Sequence, residues 1–192
     1  MDINELLSIV KTLLVKPSLG WNQIKEARYT WQQTMGYFLT PLLFLSSLSV
    51  TFFMGQQVQQ QGISPNQLFF INFAGSALSI YLASYLIAAL APRFEGASSF
   101  NLSISLVAFS YTPVYLASVI SSIHPFFQIF NLAALVYMII LFLQGMGILL
   151  EVPESKRFGF MIVSFILLFS IRIIFSVFFA AIFGVFSLNM EQ

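Results

Sequence analysis

The sequence predicts an all-α fold, a polytopic membrane bundle of five transmembrane helices preceded by an N-terminal interfacial amphipathic segment. Three observations predict it. The chain of 192 residues is 58% hydrophobic and 8% charged, where a soluble domain carries about 25% charged residues, so there is too little charge to cover a water-facing surface. Five apolar runs, 36–54, 68–90, 103–122, 126–150 and 158–187, each come near or exceed the roughly 20 residues that cross a bilayer. Outside the spans, finally, lysine and arginine sit only in the N-terminal segment and in alternate connections.

Residues 1–35 are read as a cytoplasmic segment lying at the membrane surface. Over 3–15, Ile3, Leu6, Leu7, Val10, Leu13 and Leu14 recur at three-and-four spacing with polar residues between them, the pattern of an amphipathic helix. It is too short to span and suits the headgroup plane, apolar side down. Pro17 can open a second short helix, and Trp21 and Trp31 are amphipathic rings suited to the interface. No small-residue cleavage site follows, so the segment does not read as a secretory signal.

The membrane domain is then 36–187. Span three is diluted by serines and by Pro113 but still counts, because neighbouring helices can re-satisfy the backbone that a proline frees. A Gln-rich turn, QQVQQQ at 56–61, separates spans one and two, and 188–192 form a short external C-terminus. Lys11, Lys16, Lys25 and Arg28 precede span one, Arg93 lies in the 91–102 loop, and Lys156 and Arg157 lie in the 151–157 loop. The other connections carry none. Positive charge marks the cytoplasmic side, which places the N-terminus inside and the C-terminus outside.

Several functions are excluded or disfavoured. With no cysteine and a single histidine, His124 in an external turn, the chain has no disulfide, no thiolate metal site and no histidine-rich metal cage. A net charge of +1 gives no field for nucleic acid. There is no nucleophile–base pair, no phosphate-binding glycine loop and no metal-ligand spacing, so no catalytic residue, cofactor or metal is assigned.

The eighth cation, Arg172, falls inside span five, about 20 Å from its cytoplasmic end. A central arginine costs at least about 2.5–3.5 kcal/mol and faces a bundle interior or a wet cavity. Arg172, Ser176, Ala180 and Gly184 share one helix face, and a similar small-residue stripe, Gly75, Ser79 and Ala83, runs through span two. No carboxylate lies at that depth, so neutral acceptors are expected: Tyr81, Tyr137, Tyr111 and the Phe109 carbonyl freed by Pro113. The arginine either clamps helices or forms an anion site. Asn72, Gln128, Asn131 and Gln144 read as polar glue between helices.

Three stretches also carry a family resemblance: APRFEGASSFNLSISLVAFSYTPVYLA at 91–117, VYMIILFLQGMGILLEVPESKRFGFMIV at 136–163, and Pro17 with Trp21 and Ile24. Together they resemble the Yip family of Ypt/Rab-interacting membrane proteins, in its prokaryotic branch. The resemblance implies five spans, a cytoplasmic N-terminus and a bacterial cytoplasmic membrane. Its matched positions are Pro17, Arg93, Phe94, Gly96, Phe100, Tyr111, Pro113, Gly145, Lys156 and Arg157. Eukaryotic members are associated with Rab GTPases, vesicle trafficking and organelle shape; the tail here is short, which argues against GTPase binding. The expected function is a non-enzymatic membrane-organising scaffold acting through lipid contacts and through homo-oligomerisation or contact with other membrane proteins. The alternative is a small-solute or anion transporter with its pathway near Arg172.

Overall fold

At three helix starts, after Thr30, Ser64 and Ser99, a capping side chain sets the first turn. In the computed structural model, which describes residues 3–59 and 62–183, the first long helix starts at Trp31, five residues before its apolar run. Thr30 and Gln33 form a reciprocal capping box there, satisfying amides that would otherwise be orphaned. This helix comprises α3 (Trp31–Gln33), a π-helical stretch Thr34–Leu39 and α4 (Thr40–Gln59). Most of the Gln-rich run is therefore helical rather than turn, and the reversal follows at Gly62, with φ 83°. A second capping box, Ser64 with Gln67, opens α5 (Pro65–Leu90), which continues into a 3₁₀ turn Ala91–Phe94.

Span three is two helices, α6 (Phe100–Ser110) and α7 (Thr112–Ile123), broken at Tyr111. Pro113 sits in the first turn of α7, where its missing amide costs least. After a 3₁₀ turn come α8 (Gln128–Leu149) and α9 (Glu154–Ile182). Among the described residues five helices are long and apolar enough to cross a membrane: Trp31–Gly55, Pro65–Phe94, Phe100–Ile123, Gln128–Leu149 and Glu154–Ile182. Gly184 and the tail 188–192 lie outside the described residues.

The central helix is α5, flanked by α9 and α4; α4 packs on α7, α7 on α8, and α6 fills the space between α5 and α8. The α4–α7 seam is a ladder of hydroxyls, Ser46 to Ser118 at 2.6 Å and Ser49 to Ser122 at 2.6 Å. Asn131 joins α8 to α7 through Ser121 at 2.8 Å. The π-helical stretch turns Thr34 toward Ser105 at 3.1 Å and stacks Phe38 on Phe109 with ring centroids 4.1 Å apart.

The N-terminal helices, α1 (Ile3–Val15) and α2 (Pro17–Ala27), do not lie flat. They form a hairpin standing along α8. At its open end Lys25 pairs with Glu151 just past α8, midway Trp21 covers Gly145, and near its turn the Tyr137 hydroxyl donates to the Leu14 carbonyl at 2.7 Å. Tyr137 lies 12 residues back from Leu149, so the turn reaches about 18 Å along α8. Two near contacts of backbone explain the posture. A Cβ at Gly20 would fall 2.5 Å from the Leu13 Cα, which lets α1 and α2 close on each other, and one at Gly145 would fall 2.7 Å from the Trp21 ring. Trp21, expected at the interface, is fully buried in protein together with Leu13 and Ile24. The Tyr29 hydroxyl ties the base of the hairpin to Glu5 at 2.9 Å; burial first, then that bond to a carboxylate, push its phenol pKa above the ordinary value.

Candidate functional site

Two constellations stand out, one at each end of the bundle. At the hairpin end, the α5–α6 loop and the α8–α9 turn are locked together through backbone. The Ala97 amide donates to the Leu150 carbonyl at 2.7 Å, and the Gly96 amide to that of Ala91 at 2.9 Å. A Cβ at Gly96 would stand 2.8 Å from Val152 Cγ2, so only glycine lets the loops meet this closely. Glu95 and Glu151 both adopt left-handed backbone, φ 59° and 57°, a conformation uncommon for residues with side chains. Each is held by an ion pair, Glu95 with Lys156 and Glu151 with Lys25. The Lys25 ammonium holds the Glu151 carboxyl below its usual range. Arg157 lies over Gly147 and donates to the Val152 carbonyl at 3.0 Å, while Phe94 packs edge-on against Phe160 and Phe100 against Tyr81.

At the far end, Arg172 lies 18 residues along α9 from Glu154, about 27 Å. Its Nη1 donates to Ser176 at 2.6 Å and its Nη2 to Asn72 at 3.3 Å. Gly75 makes room for it, since a Cβ there would stand 3.0 Å from Nη1. The guanidinium borders a cavity of about 240 Å³ between α4, α5, α7 and α9, lined by Ser46, Ser47, Asn72, Ser76, Ser79, Tyr111, Tyr115 and Ser118 with Leu43, Val50, Ile80, Val114, Leu168 and Phe169. Among the described residues no carboxylate pairs with Arg172. A cation held by neutral dipoles beside a hydroxyl-lined hollow can bind and orient an anion or bridge helices.

The Yip1 domain family matches residues 11–188. The chain belongs to the Yip1 family. It is accordingly a multi-pass integral membrane protein, and its family is not a known family of enzymes. No curated protein and no solved structure matches the chain.

Within this Yip1-family chain the residues singled out from sequence separate into three groups. The loop positions Phe94, Gly96, Phe100, Gly145, Lys156 and Arg157 gather at the hairpin end, with Pro17 opening α2. Arg93 is exposed there and makes no side-chain hydrogen bond among the described residues. Arg172, Ser176, Gly75, Ser79 and Tyr111 gather at the cavity, with Ala83 buried further along α5 and Ala180 half-buried on α9.

The remaining expectations are corrected. Tyr81 is not near Arg172: it packs on Trp31 and Phe100 at the hairpin end, centroids 5.6 and 5.2 Å away. Tyr137 is spoken for by Leu14. Pro113 does free the Phe109 carbonyl, but the Thr112 hydroxyl takes it at 2.7 Å. Counting residues from span ends misplaced them in depth as well as direction: Tyr81 lies nine residues, about 13 Å, along α5 from the Asn72 that Arg172 meets, and Tyr137 faces the hairpin. Sequence reasoning missed Tyr115 and the serines of α4. The signal available was Asn72 with Ser76 and Ser79, which share the face of Gly75 at helical spacing.

Proposed function

We propose that this chain is a non-enzymatic membrane-organising scaffold of the prokaryotic branch of its family, set in a bacterial cytoplasmic membrane with its N-terminus inside and C-terminus outside. The working part is the α1–α2 hairpin, acting as a wedge in the cytoplasmic leaflet. The observation that carries this reading is that the hairpin has two faces. Leu6, Ile9, Leu13, Trp21 and Ile24 are buried against the protein, while Leu7, Val15 and Leu19 remain more than half exposed beside Lys11 and Lys16. An outward face of Leu7, Val15 and Leu19 suits acyl chains, and Lys11, closer to the open end than the turn itself is, can extend its stem back toward the charged surface.

The turn reaches about 18 Å along α8 from Leu149, against a hydrocarbon core of about 30 Å. Half of that core is about 15 Å, so the turn reaches the level of the midplane and the hairpin adds its volume on the cytoplasmic side, which favours curvature toward that side. Contacts with a second copy or another membrane protein fall to α9, the least covered of the five spans.

The test is vesicle shape. Full-length chain reconstituted into vesicles containing anionic lipid should narrow their diameters in cryo-electron micrographs, and the triple variant Leu7→Gln, Val15→Gln, Leu19→Gln should behave as protein-free vesicles do. Unchanged diameters with the wild type, or equal remodelling by the triple variant, would remove the proposal. Because the chain has no cysteine, single cysteines placed near either terminus report sidedness through a membrane-impermeant maleimide. Labelling of a C-terminal cysteine from the cytoplasmic side alone would reverse the threading.

A further inference from the structure

We propose that the Arg172 cavity is a binding site for one phosphate oxyanion, carried either by a lipid headgroup or by free phosphate. Charge states the need. Arg172 is half-buried in the far half of the bundle and holds only neutral partners, Ser176 and Asn72, the second across a long 3.3 Å bond. A guanidinium carries five donors in a planar fork, so most of them remain for a ligand, and the fork matches phosphate oxygens two at a time. In a low-dielectric setting an arginine without an anion is a costly residue to keep, and the described residues provide no carboxylate to meet it.

The walls supply further donors. Ser47 and Tyr111 line the same cavity, and neither hydroxyl has a hydrogen-bond partner among the described residues. A hydroxyl facing a hollow in an apolar layer costs free energy unless something fills it. The cavity, at about 240 Å³, has room for roughly eight waters at about 30 Å³ each. That exceeds a halide and suits a phosphate with a short polar substituent. The rim is apolar, with Phe169 half exposed, so a ligand tethered to acyl chains can lie against it while its phosphate reaches the arginine.

The site is separate from the hairpin, and its test reads binding rather than vesicle shape. Full-length chain is held in nanodiscs of phosphatidylcholine alone or with phosphatidylglycerol, and separately in detergent with inorganic phosphate or with chloride at equal ionic strength. Melting is followed for the wild type, Arg172→Gln and Ser47→Leu, the last filling the cavity while leaving the arginine. At about a hundredfold excess over its dissociation constant, a ligand should raise the wild-type Tm by at least about 5 °C for a chain of this size. Both variants should lose that increment. A shift with phosphatidylglycerol alone identifies the lipid headgroup, and one with phosphate identifies the free anion; either supports the site. No shift in the wild type under either arm overturns it, as does a shift of equal size in both variants. Native mass spectrometry of wild type released from phosphatidylglycerol nanodiscs gives a reading independent of variant folding: one retained lipid supports the site, none overturns the headgroup form.

Discussion

The two ends of this bundle solve the problem of polar groups in opposite ways. At the hairpin end, two lysine–glutamate pairs form, loops exchange backbone hydrogen bonds, and glycines let helices meet closely: Gly145 against Trp21 and Leu106, Gly96 against Val152. At the far end a lone guanidinium borders a hollow whose serines and tyrosines are only partly partnered. Close contact at Gly145 and Gly96 lets the first end hold a fixed shape. The second sets a cation with spare donors beside a hydroxyl-lined hollow, which is what a binding site requires.

That contrast predicts an order of mutational effects. Trp21→Ala should be the most damaging, at about 3–5 kcal/mol, because it empties a fully enclosed site. Melting in detergent and the rate of proteolytic release of residues 1–27 both check it. Trp21→Phe should cost less, since the indole nitrogen has no hydrogen-bond partner to lose. Gly145→Ala comes next, at about 1–3 kcal/mol from overpacking, because the new Cβ would meet Leu106 at 2.6 Å and Trp21 at 2.7 Å. A Tm equal to the wild type would show that the closure is not tight.

At the other end, Arg172→Gln should change stability without ligand by less than about 1 kcal/mol, as polar contacts between membrane helices usually do. A loss as large as that of Trp21→Ala would make the arginine a keystone and erase the distinction between the two ends.

The smallest effect belongs to the Lys25–Glu151 pair at the exposed hairpin base. The Glu151 carboxyl is held below its ordinary value by Lys25, so its contribution is present above the pKa of an unfolded glutamate and fades as the pH falls through the folded value. Protection of the α2 amides, taken as exchange relative to the intrinsic rate at each pH, should fall slightly on acidification through that range in the wild type and show no such step in Glu151→Gln.

Much of the architecture was readable from local pattern. Five apolar runs fixed five spanning helices, whereas the capping boxes of Thr30 with Gln33 and Ser64 with Gln67, seen in the structure, move two starts outward. Hydropathy alone placed those starts late because capping residues are polar. The hairpin was legible as two amphipathic helices but not as an upright one. Its apolar stripe fits lipid and protein equally well, and only the bare backbone at Gly145 draws Trp21 out of the interface. At the cavity, Arg172 was conspicuous as the one cation inside a span, whereas the identity of its neighbours was not: Tyr81 and Tyr137 lie nearer the hairpin end and meet other partners.

The sequence by itself determined the number of crossings, the confinement of basic residues to alternate connections and the presence of one arginine in the apolar layer. Those follow from the cost of leaving backbone or charge in hydrocarbon, which each segment meets alone. Tertiary structure alone decided that α1 and α2 stand against α8, that loops 91–99 and 150–153 interlock, and that Asn72, Ser47, Tyr111 and Arg172 surround one cavity. Such meetings depend on how each helix is rotated about its axis, and that rotation is set by the shapes of side chains on neighbouring helices, distant in sequence.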